Sequence, residues 1–358
     1  MKKTNWLEFK ISDLFITEYK SKKIQIPTGA YVHKDYLFEG KTPRITVTSQ
    51  NNGIDGYYSS NDKNYRVFEN FISVSFLGTI FYHPYKASID MKVHCLKLKD
   101  KALNFNISMF LISEIKKSIE NASYGNQLSS TDLPHKKIMI PVNDEGKPDY
   151  VFMEECIKER AKLKRKEYIK YCEKALKISG GGYKKYSLSE IEWKDFLLLD
   201  LFTFYRGNQK NMNALPSGDE LLVSAKNIDN GLKGFYGAKS DKDIFMGNCI
   251  TLNNDGDGGV GLAFFQPYKF LLDTHVYALY SKQDISKSVM LFICRAISKQ
   301  RVCFNHGHSI SQDRLANMKV MLPVGENNKP NYMFMEEYVK GLMAEKYKSY
   351  LSYIKESC

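Results

Sequence analysis

Tryptophan is almost missing from this sequence, with two in 358 residues, and acidic side chains are in deficit. Forty Asp and Glu face 52 Lys and Arg, a formal charge of +12. That balance excludes an acidic mimic of DNA and favours a polyanionic partner, nucleic acid before membrane. No apolar run approaches the roughly 18 residues of a membrane span. The start, Met1-Lys2-Lys3-Thr4-Asn5-Trp6, has a basic pair but no apolar segment behind it, so it is not expected to be a signal peptide. The seven cysteines are odd in number and never spaced Cys-x-x-Cys, which reads as reduced thiols in a cytoplasmic protein. What is present is 43% apolar and 26% charged, the make-up of a folded chain, and its length suits two domains of about 150–180 residues.

Those two domains are copies of one unit. Trp6-Leu-Glu-Phe9-Lys-Ile-Ser-Asp13-Leu14-Phe15 returns as Trp193-Lys-Asp-Phe196-Leu-Leu-Leu-Asp200-Leu201-Phe202, with both tryptophans in the same slot. Gly53–Tyr58 matches Gly231–Tyr236, Pro84-Tyr85-Lys86 matches Pro267-Tyr268-Lys269, and Asp90 with Val93 matches Asp273 with Val276. Ile138–Val142 matches Val320–Val324, and Lys147–Lys158 matches Lys329–Lys340. The order is kept throughout, and small loop insertions account for the drifting offset.

Each unit opens with short apolar runs broken by turn residues, such as Phe71–Leu77, His94–Leu98, Asn248–Leu252 and Val276–Tyr280, which read as strands. Ile107–Ile119 and Val289–Ile297 read as one helix per unit. Each unit then closes in a long helix, with Pro148 or Pro330 expected in its first turn and Glu154-Glu155 or Glu336-Glu337 at its positive end. Tyr150, Met153, Ile157, Ala161, Tyr168, Cys172 and Ala175 make an apolar stripe, as do Tyr332, Met335, Val339, Leu342, Tyr350 and Tyr353. Such a helix, roughly 42 Å long at 1.5 Å per residue, wants a partner along its length. The other copy is the obvious one; packing on its own domain is the alternative. The expected layout is residues 1–146 for the first β-rich domain and 147–178 for its helix, then a linker at 179–190. The second domain takes 191–328 and its helix 329–358.

A duplicated unit opening W-x-x-F-x-[IL]-x-D-L-F, with a central G-x-[IL]-x-G-[FY]-Y pattern and an Ile-Pro or Leu-Pro segment before a long helix, resembles the specificity subunit of type I restriction-modification systems. The Phe-Met-Glu-Glu openings at Phe152 and Phe334 look most like the subunits of the related two-component type IIG/IIB systems. The resemblance implies an α+β fold of two β-rich target recognition domains, each followed by a long helix, the two helices pairing as an antiparallel coiled coil. It also implies double-stranded DNA as a partner. Two methyltransferase or methyltransferase-nuclease chains would dock on the helices, around Phe152, Glu155, Phe334 and Glu337, with or without a separate restriction subunit. S-adenosylmethionine would sit on those partners, and this chain would hold no cofactor or metal and catalyse nothing. Family members often carry Gly-[Ser/Thr]-x-Gln before a late Leu-Ser. Here the copies read Gly125-Asn126-Gln127-Leu128-Ser129 and Gly307-His308-Ser309-Ile310-Ser311, so Ser129 and Ser311 are the matched positions.

Reading base edges needs hydrogen-bonding side chains, and placing phosphates needs cations. In the first unit the candidates are Arg44, Ser49, Gln50, Asn51, Asn52, Tyr57, Tyr58, Asn126, Gln127 and Ser129, with Lys63 and Lys86 for phosphates. In the second they are Lys226, Asn227, Asn230, Lys233, Tyr236, Asn254, His306, His308 and Ser311, with Lys269 and Arg314. Arg66, Lys239 and Arg301 are further cations of the same kind. The loops occupy equivalent places while their polar residues differ, as two readers of different half-sites require. Helices of roughly 40 Å would hold the readers about 12 base pairs apart at 3.4 Å per pair. The target is therefore expected to be bipartite and asymmetric.

Other chemistry fits less well. No two prolines are adjacent, so the Pro-Pro loop with which amino-methyltransferases hold a flipped base is missing. Asp13, Glu18 and Lys20 offer a short D…ExK set for a Mg²⁺-dependent nuclease, the main alternative activity. A duplicated protein-binding adaptor without a DNA role is the other alternative. Gly256–Gly261 fits G-x-G-x-x-G without a following helix, and the Asn253-x-Asp255-x-Asp257 start of a Ca²⁺ loop has Phe264 where a Glu is needed.

Overall fold

The computed structural model describes residues 4–20, 22–178, 186–256, 259–304 and 309–356, without the side chains of Ile178 and Asn213. It divides into two compact units, Met1–Tyr168 and Ile169–Cys358.

In the first unit the opening motif forms a strand, Asn5–Lys10, and a single helical turn, Ile11–Leu14. The strand pairs antiparallel with Lys137–Val142, setting Phe9 opposite Ile138 and Leu7 opposite Ile140. A five-stranded sheet follows in the order Ile54–Ser59, Phe38–Ile45, Ile80–Ile89, Val67–Ser75, Val93–Leu96, with the second and third strands parallel. The helix Phe105–Ser118, capped by the Asn104 carboxamide on the Ile107 amide, lies over this layer. Its Ile107 and Leu111 join Ile11, Phe15 and Met153 in a core closed to solvent. Trp6 stacks on Phe110 with ring centroids 5.9 Å apart.

The second unit repeats the plan. Trp193–Leu197 pairs with Lys319–Pro323, and Trp193 stacks on Phe292 at 6.2 Å, on the helix Lys287–Lys299. The large sheet, however, is two. One runs Phe202–Arg206, Val276–Ser281, Cys249–Asn253, Ala263–Gln266, and the other Leu232–Tyr236, Glu220–Val223, Phe270–Leu272, Ile244–Phe245. The two units part at a matched proline. Ile80–Ile89 carries Pro84 through a register break, with Glu69 opposite Lys86 and Phe71 opposite His83, so Pro84 has no ladder partner. At the matched Pro267 the strand ends instead, and its two halves fall in separate sheets.

Both long helices form, as Tyr150–Ile178 and Tyr332–Glu356. The prolines are not in their first turns. Asp149 and Asn331 are the caps, accepting the Phe152 amide at 2.9 Å and the Phe334 amide at 3.0 Å. Pro148 and Pro330 precede them, bridging to Val142 and Val324 as the last extended residues. Inside the helix, Met153 and Met335 are fully buried and fasten each first turn to its own domain. Within the second unit the end of the first long helix packs on the second: the Tyr171 and Tyr347 rings meet edge to face at 5.7 Å, their hydroxyls 3.2 Å apart. The boundary between the compact units falls inside that helix, between Tyr168 and Ile169. Residues 179–185 of the linker lie outside the described residues, and Leu188–Glu190 form a 3-10 turn whose Leu188 carbonyl accepts the Trp193 indole. No described helix is long and apolar enough to cross a membrane.

Two consequences are measurable. Asp149→Ala lowers stability by about 1 kcal/mol in urea unfolding, whereas Pro148→Ala, outside the helix, costs less. The first unit also buries two neutral histidines. Burial pushes the His83 imidazole down to about 4, and burial likewise lowers that of His94. Between pH of about 6.5 and 4 the unfolded chain binds protons that the folded unit refuses, so stability is full above this window and falls through it. Hydrogen exchange, corrected for intrinsic rates, loses protection in the first unit before the second as pH drops from about 7 to 5.

Candidate nucleic-acid interface

The two candidate loops are built on the same frame. In the first unit Asn51, Asn52 and Gly53 take φ of 47°, 55° and 79°; in the second Asp229, Asn230 and Gly231 take 53°, 55° and 78°. Three successive left-handed residues favour Asn, Asp and Gly, and both copies use only these. Each turn is closed by matched bonds. The Gly53 amide donates to Gln50 O at 2.9 Å and Gly231 to Ile228 O at 3.0 Å, while Thr46 donates to Gly53 O and Ser224 to Gly231 O, both at 2.9 Å. On this frame the exposed tips differ: Ser49-Gln50-Asn51 in one copy, Asn227-Ile228-Asp229 in the other. Beyond the turn, Tyr57 and Phe235 stand exposed at matched places, with Tyr58 and Tyr236 half-buried beside them.

Other candidates are committed inside the protein. Arg44 is only 6% exposed, with its guanidinium 3.2 Å from the Asp90 carboxylate, so it is a buried strut rather than a presented cation. The Ser129 hydroxyl accepts the Asp132 amide at 3.0 Å, and that of Ser311 accepts the Arg314 amide at 3.2 Å. The matched serines therefore cap turns. Asn126 and Gln127 donate to Asn121 O and Tyr124 O across their own exposed loop. Lys226 folds back onto Leu232 O at 2.8 Å. Asn254 is buried, with a carboxamide oxygen that meets no hydrogen-bond donor among the described residues. Lys86 and Lys269 are exposed but paired with Glu69 and Glu220, and Arg314 donates to Ser309 O. Arg66 reaches Thr28 O. Lys63, Lys233 and Lys239 are exposed, whereas His306 and His308 lie outside the described residues.

Of the expected docking residues, Glu155 is exposed and Phe152 half-buried. Phe334 is buried instead, stacked on Tyr338 and edge-on to Tyr186, and Glu337 accepts the Tyr186 hydroxyl. The exposed apolar residues at these helix starts are Val151, at 64%, and the matched Met333, at 72%. The Asp13 carboxylate accepts the Lys10 amide of its own helical turn, and among the described residues no three His, Cys, Asp or Glu converge on a metal position. A strand, Ala263–Gln266, follows the Gly-rich segment, of which Asp257 and Gly258 lie outside the described residues. Cys95 and Cys249 are thiols that burial pushes up to about 12, too high for nucleophilic work.

Sequence reasoning missed the groups beneath the turns, His83 and Gln266, and the tip residue Ile228. The signal was available in the repeat: each of the first two immediately precedes its Pro-Tyr-Lys segment.

A family model described as the type I restriction modification DNA specificity domain matches residues 3–171 and again 190–349. The specificity subunit of the type II restriction enzyme BgcI of Heyndrickxia coagulans is 25% identical over 337 residues, 92% of each chain. Among solved structures, the type I restriction-modification S subunit from M. genitalium is 14% identical, over 99% of this chain and 94% of that one, with a TM-score of 0.43. The HsdS subunit from Thermoanaerobacter tengcongensis is 10% identical, over 96% and 90%, with a TM-score of 0.33. Matched twice along nearly its whole length, the chain belongs to the type I restriction-modification DNA specificity family and is a specificity subunit with two such domains in tandem.

Proposed function

We propose that this subunit reads a split, asymmetric double-stranded target, one block per unit, and lends that specificity to methyltransferase or methyltransferase-nuclease chains docked on its long helices. The observation that carries this reading is the pair of left-handed turns with matching φ angles and closing bonds but different tips. A shared frame places both readers alike against a duplex, and unlike side chains make the blocks unlike. The exposed pair Val151 with Glu155, matched by Met333 with Glu337, supports two similar docking faces and hence two partner chains. The Tyr171–Tyr347 contact supports pairing of the helices as the spacer. S-adenosylmethionine belongs on the partners, and this chain contributes recognition rather than catalysis, in the cytoplasm where its DNA is.

Selection from randomised duplexes by the full chain with its methyltransferase returns two different short blocks separated by a constant unread gap. A single block, or two identical ones, would refute the reading. Lys233→Ala lowers the slope of log K against log salt by about one and leaves the selected sequence unchanged, as loss of a phosphate contact requires. A changed sequence at an unchanged slope would instead make Lys233 a base contact.

A further inference from the structure

Beneath each reading turn lies a polar chain, buried at Ser73–His83 in one unit and at Thr251–Gln266 in the other, that settles which way the turn asparagine faces. In the first unit Asn52 donates through Nδ2 to Tyr82 O at 3.4 Å and to Tyr85 Oη at 3.5 Å. Tyr85 Oη is 3.3 Å from His83 Nδ1, and His83 Nε2 is 2.8 Å from Ser73 Oγ, which reaches Phe81 O at 3.5 Å. The carbonyl at the end can only accept, so one direction satisfies every link. Ser73 donates to Phe81, His83 Nε2–H to Ser73, the Tyr85 hydroxyl to His83 Nδ1, and Asn52 to Tyr85. Burial keeps the imidazole neutral, as this pattern needs.

The second unit reaches the same end with other residues. Thr251 donates to Phe264 O at 3.3 Å, and Gln266 Nε2 donates to Thr251 Oγ1 at 2.9 Å and to Asn230 O at 3.0 Å. Asn230 Nδ2 in turn donates to Phe265 O at 2.9 Å and to Gln266 Oε1 at 3.3 Å. In both copies the two amide hydrogens point into the protein. Among the described residues no hydrogen bond reaches Oδ1 of Asn52 or Asn230, although both residues are exposed.

Resting on the reading of these loops as the DNA-contacting surface, we propose that His83 and Gln266 are positioning residues. They hold Asn52 and Asn230 as acceptor-only groups, each aimed at the exocyclic amino group of a base. An unrestrained asparagine offers a donor and an acceptor together and so matches adenine bidentately. With its hydrogens withdrawn it accepts only, and the major-groove complements are adenine N6 and cytosine N4. Every base pair has one such amino base, on one strand. Each turn asparagine therefore reads which strand carries it, and does not distinguish A·T from C·G.

The test is selection from randomised duplexes by the full chain with its methyltransferase. The first unit's block, identified as the one that Asn52→Ala degrades, contains a position held by A or C on one strand. Tyr85→Phe removes a single exposed oxygen and releases one amide hydrogen. The preference for A or C over G or T at that position then falls by about fivefold, the value of one hydrogen bond, while the second block is unchanged. His83→Leu does the same, and importing the other unit's pair, Ser73→Thr with His83→Gln, restores the preference. Gln266→Leu relaxes the second block alone. The inference is overturned if Tyr85→Phe leaves the selected position intact, or if the buried variants blur both blocks equally. A wild-type chain that selects no block would reject the reader assignment itself, an outcome distinct from either.

Discussion

Sequence recognition in DNA is decided by differences of about 1–3 kcal/mol per base pair, and so the reading groups must not wander. Two turns of this structure are held closed in the way that the proposed reading of bases by them requires. Three successive left-handed residues would be costly anywhere in a chain of ordinary side chains, but Asn-Asn-Gly and Asp-Asn-Gly accept them, and the matched backbone bonds hold them closed. The sheets beneath provide the fixed reference. A loop of equal polarity without that closure would present the same side chains over a spread of positions and discriminate little.

The remaining architecture holds these turns in place. Each opening tryptophan stacks on a phenylalanine of its core helix, so the start of a unit and its middle are packed together. Each long helix is plugged into its own domain by a fully buried methionine. The chemistry under the turns differs, Ser–His–Tyr in one copy and Thr–Gln in the other, while the outcome for the turn asparagine is the same. Duplicated units can thus repack their interiors independently and keep the geometry of the surface.

Much of the architecture was legible because duplication doubles every weak signal. The paired openings, the Pro-Tyr-Lys segments, both core helices and both long helices follow from aligning the chain with itself. The site was less legible. Ser129 and Ser311 were rightly matched to one another, yet their shared feature is a turn cap. Arg44 was read as a DNA contact because nothing nearby in the sequence announces Asp90, 46 residues away. Phe334 was read as a docking contact, but Tyr338 one helical turn on, together with Tyr186, encloses it.

Sequence alone determined the duplication, the secondary structure of each unit and the places where the copies diverge, since these depend on local patterns and on comparison within the chain. Tertiary structure decided which polar side chains remain available to a partner, and whether Pro84 bends one strand or Pro267 ends it. The physical reason is that a hydrogen bond or ion pair is satisfied by whatever the fold brings within about 3 Å, and the partners of Arg44 and Asn230 come from strands and loops far along the chain.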